Sequence, residues 1–258
     1  MKIALGQINM YFEDKKTNYV MIEEFVSQAH DNHADLIIFP EMSCTGFSMN
    51  TELIGETNHE TEKLMMELSR DYHIKIMFGQ VLKNEKGFFN NFTAVNGSEV
   101  LFSYNKIHPF TYEANYYQKG NQIISKKIDE FIFSPFICYD LRFPEIFQMA
   151  SKKSQIIIVI ASWPERRDDH WLTLLKARAI ENQCYVIGVN RVGYDKDNQY
   201  IGHSCVFDSS GKRLTRLSTD EENIYLEIHL DDIEKAKQGN QFKKDRREDL
   251  YLKLMSGE

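Results

Sequence analysis

Three residues in this sequence stand where strands end and carry groups able to make and break an acyl bond. Glu41 lies in LIIFPEMSCTGF (36–47), directly after a short apolar run and before a Gly-containing loop. A carboxylate there can move a proton, since the ends of strands are where α/β folds place reactive groups. Lys106 lies in LFSYNKIHPF (101–110), again just past an apolar run. An ammonium near a thiol favours the thiolate and can donate to a developing oxyanion. Cys138 lies in IFSPFICYDLRFPE (132–145), where a strand gives way to a sharp turn and a helix. That setting resembles a nucleophile elbow, with turn amides and a helix N-terminus beside the sulfur.

Each residue alone has a simpler reading. Glu41 can cap a helix, Lys106 can lie along the surface with its head in water, and Cys138 can be an ordinary core thiol. Of the four cysteines, at 44, 138, 184 and 205, Cys138 alone combines a strand end, a turn and adjacent charges. Cys44 is a weaker candidate, and Cys184 and Cys205 read as core thiols. Asp140 and Arg142 can pair and fix the turn after Cys138. His108 is a second choice of base behind Glu41, and His170 reads as a residue that caps or packs. No HExxH, CxxC or paired-ligand spacing is present, so we expect no metal and no other cofactor.

The elements that must hold these groups alternate. Residues 2–9, 36–39, 74–81, 128–137, 155–161, 185–190, 203–208 and 224–228 read as strands. Residues 14–33, 61–72, 144–152 and 169–183 read as helices with one apolar face. Residues 88–95 and 99–104 read as a hairpin whose Asn96-Gly97 supplies a type I′ turn, and Ser209-Ser210-Gly211 as a second hairpin turn. With no Pro- or Ser-rich linker, repeat or low-complexity segment, we read one domain over residues 1–258, with mixed sheets and helices outside. The stretch 235–258 mixes both charge signs with apolar residues and reads as packing on the surface or as an arm across a dimer contact.

Composition narrows the class. The chain has 258 residues, 42% hydrophobic and 27% charged, which excludes a disordered chain. Its net charge of −7 lacks the basic field expected of a nucleic-acid binder. No apolar run reaches the roughly 18 residues of a membrane helix, so no membrane partner is expected. The N-terminus reads as a first strand rather than a secretion signal, and free thiols fit a reducing cytoplasm.

Taken together, FPE around Glu41, KIHPF from Lys106 and CYDLRFPE from Cys138 resemble the nitrilase (carbon–nitrogen hydrolase) superfamily, in the family's order. The similarity runs to about Glu227. It also takes in ASWPERR (161–167), HWLTLLKARAIENQ (170–183) and GVNRVG (188–193), which most resemble the omega-amidase branch. The resemblance implies an α/β four-layer α-β-β-α sandwich with two mixed sheets packed face to face, and a homodimer. It makes Glu41 the base, Lys106 the oxyanion lysine, Cys138 the nucleophile and Glu113, in EANYYQKG (113–120), the second glutamate. The Tyr139 backbone N–H would join Lys106 at the oxyanion.

Members of that branch hydrolyse the distal amide of 2-oxoglutaramate or 2-oxosuccinamate. Such a substrate needs a carboxylate clamp, for which Arg166 and Arg167 are the candidates because guanidinium binds carboxylate bidentately. Phe47, Phe110 and Trp163 would wall the pocket. The alternatives are a deaminated-glutathione amidase, an N-carbamoyl-amine hydrolase or a true nitrilase, which would share the three chemical groups. A non-catalytic metabolite-binding member and a papain-like Cys–His hydrolase stand further off.

Overall fold

The computed structural model describes residues 1–237 and 242–257. Strand β1 (Lys2–Gln7) alternates as a two-faced strand must: Ile3 and Leu5 enter one core and Ala4 another. Helix α1 (Lys15–Asp31) starts at Asp14, whose carboxylate accepts from the Thr17 N–H and hydroxyl, a cap for an amide that would otherwise lack a partner. Strand β2 (Leu36–Ile38), the one-turn helix α2 (Thr51–Ile54), α3 (Glu60–Asp71) and strands β3 (Lys75–Asn84), β4 (Gly87–Asn96) and β5 (Glu99–Asn105) complete the first half. The second half runs β6 (Lys126–Ile128), β7 (Phe131–Ile137), α4 (Pro144–Ala150), β8 (Ile156–Ala161), α5 (Asp168–Asn182) and β9 (Tyr185–Asn190). It closes with β10 (Val192–Tyr194), β11 (Gln199–Ile201), β12 (Cys205–Phe207), β13 (Glu222–Glu227), α6 (Leu230–Lys237) and α7 (Glu248–Ser256).

These strands form two mixed sheets, ordered β13-β1-β2-β3-β4-β5 and β12-β9-β8-β7-β6. In each the central three run parallel and the edges antiparallel. Ile3, Leu5, Leu36, Ile38 and Phe92 of the first sheet share one core with Phe133, Phe136 and Ile158 of the second. On the outer face of the first sheet, Ala4, Ile37, Ile76 and Phe78 pack against Ile22, Val26 and Ala29 of α1 and Met65 and Leu68 of α3. On the outer face of the second lie Phe147 of α4 and Trp171 and Leu175 of α5. This is the expected four-layer sandwich. β7 and β8 are buried along nearly their whole length, as strands covered on both faces must be. That explains the unbroken apolar run at 156–161.

Local differences from the sequence reading have local causes. Residues 128–137 are two strands, because Asp129 adopts φ 52° and turns the chain between β6 and β7. The Asn96-Gly97 turn is shifted by one residue. Asn96 pairs with Glu99 inside the ladder, so Gly97 and Ser98 form the loop and Gly97 alone takes positive φ, the pattern of a type II′ turn. A bulge between Ala94 and Val95 absorbs the difference. Ser209-Ser210-Gly211 closes only an isolated bridge from Phe207 to Arg213. The hairpin β10–β11 and helix α2 carry too few apolar positions to show a period. Of the stretch 235–258, residues 238–241 and 258 lie outside the described residues. Among the described residues no helix is long and apolar enough to cross a membrane.

Candidate active site

The first sheet delivers Glu41 through a tight turn just past β2. Met42 takes φ 50°, and the turn is pressed onto β3. A Cβ at Gly79 would sit 2.4 Å from Met42 N and 2.8 Å from Glu41 Cα, so only glycine admits this approach. Ser43 fastens the contact: its hydroxyl donates to Pro40 O (2.6 Å) and accepts from Gly79 N (3.1 Å).

Lys106 follows β5. Its backbone N donates to Asn90 O (2.9 Å) and its carbonyl accepts from Gly120 N (2.7 Å). The next turn of chain, a short 3₁₀ helix at Thr111–Asn115, turns Glu113 back inward. The Phe110 N–H donates to Glu113 Oε2 (2.6 Å).

Cys138 comes from the other sheet, at the end of β7. It takes φ 44°, a strained conformation for a residue with a Cβ, and such strain collects at functional sites. A short 3₁₀ helix (Cys138–Arg142) and then Pro144, at the first position of α4, continue the turn. Asp140, fully buried, holds this turn to the lysine loop. It accepts from Ile137 N (3.1 Å), the Tyr104 hydroxyl (2.7 Å) and His108 N (2.9 Å), and lies 2.9 Å from His108 Nδ1. Arg178 of α5 donates twice to Leu141 O from below. The expected Asp140–Arg142 pair is absent because Asp140 is already saturated from the core side. His108, engaged by Asp140 and stacked 3.8 Å from the Phe143 ring, is a structural residue.

The three elements converge. Lys106 Nζ donates to Glu41 Oε1 at 2.8 Å and to Glu113 Oε2 at 2.7 Å, with all three side chains at most 1% exposed. Asn90 Nδ2 donates to the same two carboxylates, at 2.7 Å to Glu41 Oε1 and 2.8 Å to Glu113 Oε1. The Ser162 backbone N–H, just past β8, donates to Glu41 Oε2 at 2.8 Å. Half-buried Cys138 adjoins this cluster. Burial raises its thiol well above the ordinary value, the Glu41 carboxylate and a hydrogen bond to it push the same way, and Lys106 only partly opposes them. The resting sulfur is therefore protonated and needs a base. Burial works against the Lys106 charge, but Glu113 and Glu41 outweigh it and hold the ammonium well above its usual range. Burial also raises Glu113 despite Lys106 beside it.

Above the sulfur opens a cleft of about 460 Å³, counted to its open mouth. Phe47, Phe110, Tyr139, Trp163, Arg166 and Arg167 line it, together with Arg142, Tyr112, Ser162, Pro164, Asn198 and Tyr200. Phe47 also lies under the ammonium, with Lys106 Nζ 5.5 Å from its ring centroid. Three guanidinium groups thus share one rim. Arg142 sits 4.8 Å over the Trp163 ring and Arg167 5.1 Å over the Phe110 ring. Burial and then the neighbouring Arg166 and Arg142 charges lower Arg167. Among the described residues no carboxylate forms an ion pair with any of the three. Like charges gathered without a counter-ion favour an anionic ligand. His170 is exposed on α5, 3.3 Å from Arg142 Nη2.

Sequence reasoning missed Asn90, Ser162, Tyr112, Asn198 and Tyr200, and gave Arg142 to the turn after Cys138 rather than to the cleft. Only Asn90 left a signal: FFNNFTAV (88–95) puts two amides inside an otherwise apolar strand, where burial demands partners.

Comparison with known proteins gives the family context. The family model for carbon-nitrogen hydrolase matches residues 2–238. The chain is 31% identical to the 2-oxoglutaramate amidase of Bacillus subtilis (strain 168), over 92% of this chain and 94% of that protein. It is 34% identical to omega-amidase YafV of Yersinia enterocolitica, over 82% of this chain and 83% of that protein. Among solved structures, a CN-hydrolase superfamily protein from Xanthomonas campestris, 26% identical, matches with a TM-score of 0.90 over 95% of this chain and 97% of that one.

Proposed function

Because this chain belongs to the carbon–nitrogen hydrolase family, we propose that it works as an omega-amidase. It hydrolyses the distal amide of a small 2-oxo acid, 2-oxoglutaramate or 2-oxosuccinamate, releasing ammonia through a thioester on Cys138. The observation that carries this reading is the buried Glu41–Lys106–Glu113 cluster beside a half-buried cysteine, beneath a rim of three arginines. The similarity to proteins named for that activity supports it.

Glu41 takes the Cys138 proton as the sulfur attacks the amide carbonyl. The carbonyl oxygen becomes an oxyanion and receives hydrogen bonds from Lys106 and the Tyr139 backbone N–H. An ammonium has three N–H bonds, and the two glutamates occupy two of them, which leaves one for the oxyanion. The intermediate collapses as Glu41 returns the proton to the nitrogen, and ammonia leaves. Glu41 then draws a proton from water, the hydroxide oxygen attacks the thioester, and the acid departs as the sulfur is reprotonated. Glu113 keeps Lys106 in place throughout.

At the other end of the substrate, Arg166 and Arg167 hold the carboxylate, and Arg142 joins them. Replacing Arg166 or Arg167 with Ala raises KM for 2-oxoglutaramate by about tenfold or more, the worth of a charge-assisted hydrogen bond. Turnover of an uncharged short amide such as propionamide stays near wild type. Unchanged kinetics in both variants would remove the two arginines from the substrate site. The reaction itself is tested by an ammonia assay over 2-oxoglutaramate, a deaminated tripeptide, an N-carbamoyl amine and a nitrile. Release confined to one of the latter three would replace the omega-amidase reading while leaving the family intact.

A homodimer and a cytoplasmic setting belong to the same reading. Helix α7 exposes Leu252 and Leu254 at 69% and 66%, too apolar for a free surface, and Met149 near the end of α4 is also exposed. Cys44, Cys138 and Cys205 carry free thiols, which suits a reducing compartment.

A further inference from the structure

We infer that Asn90 is a positioning residue: by donating to Glu41 and Glu113 together, it leaves Oε2 of Glu41 as the oxygen that takes the Cys138 proton. This rests on the reading of Glu41 as the base. It deepens that reading by naming the base atom and the side chain that selects it.

The argument is an inventory of lone pairs. Each carboxylate oxygen accepts two hydrogen bonds comfortably. Glu41 Oε1 accepts from Lys106 Nζ (2.8 Å) and Asn90 Nδ2 (2.7 Å), so it is full. Among the described residues, the backbone donor to Glu41 Oε2 is Ser162 N (2.8 Å), which leaves this oxygen a lone pair for the Cys138 thiol that hydrogen-bonds the carboxylate. Without Asn90, both oxygens would have room and the side chain could turn. Asn90 also sets the lysine, because its backbone carbonyl accepts from Lys106 N. One residue of β4 thus holds both carboxylates through its side chain and the backbone of Lys106 through its carbonyl.

A second observation shows that the amide is not there for packing. Asn90 is 1% exposed, and its Oδ1 has no partner among the described residues. A buried orphan carbonyl is destabilising. The reverse orientation would aim Oδ1 at two carboxylates, so the amide direction is settled by the charges around it. Asn91, next along the strand and equally buried, has its amide matched to Ser103 and Asn105 instead. Asn90 faces Glu41 after β2 and Glu113 on the 3₁₀ turn, and those two carboxylates face Lys106 after β5 and Cys138 after β7, with Tyr112 and Tyr117 beyond Glu113.

The test compares wild type, Asn90→Ala, Asn90→Ser, Asn91→Ala and Glu41→Gln. Each is melted, assayed on 2-oxoglutaramate across pH, and treated with iodoacetamide, with alkylation read at the Cys138 peptide. Asn90→Ala lowers kcat about ten- to a hundred-fold with KM within about threefold. The acid limb of its alkylation and kcat/KM profiles moves to higher pH, since carboxylates that lose a donor hold their proton more tightly. Asn91→Ala lowers the melting temperature with its acid limb where the wild type has it. If Asn90→Ala does not fold, Asn90→Ser carries the same readout. Slow alkylation in Glu41→Gln with an unmoved profile in the Asn90 variants overturns the inference alone. Wild-type alkylation in Glu41→Gln overturns the base reading and the inference with it.

Discussion

Replacing Cys138 with alanine removes ammonia release from 2-oxoglutaramate, by at least about 10⁴-fold, the usual loss when a covalent nucleophile is deleted. The other three thiols cannot take over. Cys44, Cys184 and Cys205 are at most 2% exposed, and burial holds Cys44 and Cys205 far above the ordinary thiol range. The fold survives the change, because a half-buried sulfur contributes little packing. Far-ultraviolet circular dichroism and the melting temperature therefore stay near wild type while turnover vanishes. Mass spectrometry adds a direct reading: rapidly quenched wild type with substrate carries the acyl group on the Cys138 peptide, and the variant carries none. A variant that keeps even a tenth of wild-type turnover would exclude the thioester route.

The second large effect follows from Lys106→Met, and it reaches stability as well as rate. The lysine is the cation between Glu41 and Glu113. Breaking a buried ion pair by removing one partner costs about 3–5 kcal/mol, and on the proposed role of Lys106 at the oxyanion the loss of that donor costs about 10²–10³ in kcat. The stability loss depends on pH with a defined sign. Burial already raises Glu113 above the ordinary carboxylate value of 4.5. A carboxyl whose folded pKa exceeds its unfolded one stabilises the fold fully below the unfolded value. That contribution is lost as pH climbs through the folded value. Removing the cation widens this window upward, so the variant loses stability between mildly acidic and neutral pH far more steeply than wild type. Urea unfolding at several pH values checks it. A variant with a wild-type pH profile would mean that Lys106 does not balance these carboxylates.

Much of the fold was legible because it is local. The strand at β1, the one-faced helix from residue 14 and the apolar run of β8 each follow from one stretch of chain and how many of its faces meet water. The short hairpin β10–β11 was not legible, since three residues per strand cannot display a period. Yet it supplies Tyr200 and, on its turn, Asn198 to the cleft. Asn96-Gly97 misled by one position. Dipeptide preference gives the turn residue, but the ladder register set by the bulge at Ala94–Val95 decides where the turn falls.

The sequence by itself determined the layered α/β class, the placing of Glu41, Lys106 and Cys138 at strand ends, and the acidic overall charge. These depend on residue type and on neighbours a few positions away. Only the tertiary structure decided which lone pair of Glu41 is open, that Asn90 bridges two glutamates, that Ser162 reaches Glu41 from the opposite sheet, and that Arg142 joins Arg166 and Arg167. Those contacts span up to 121 residues of chain. They exist because two sheets pack face to face at one register, and nothing in a local stretch of sequence encodes the distance between two side chains that far apart.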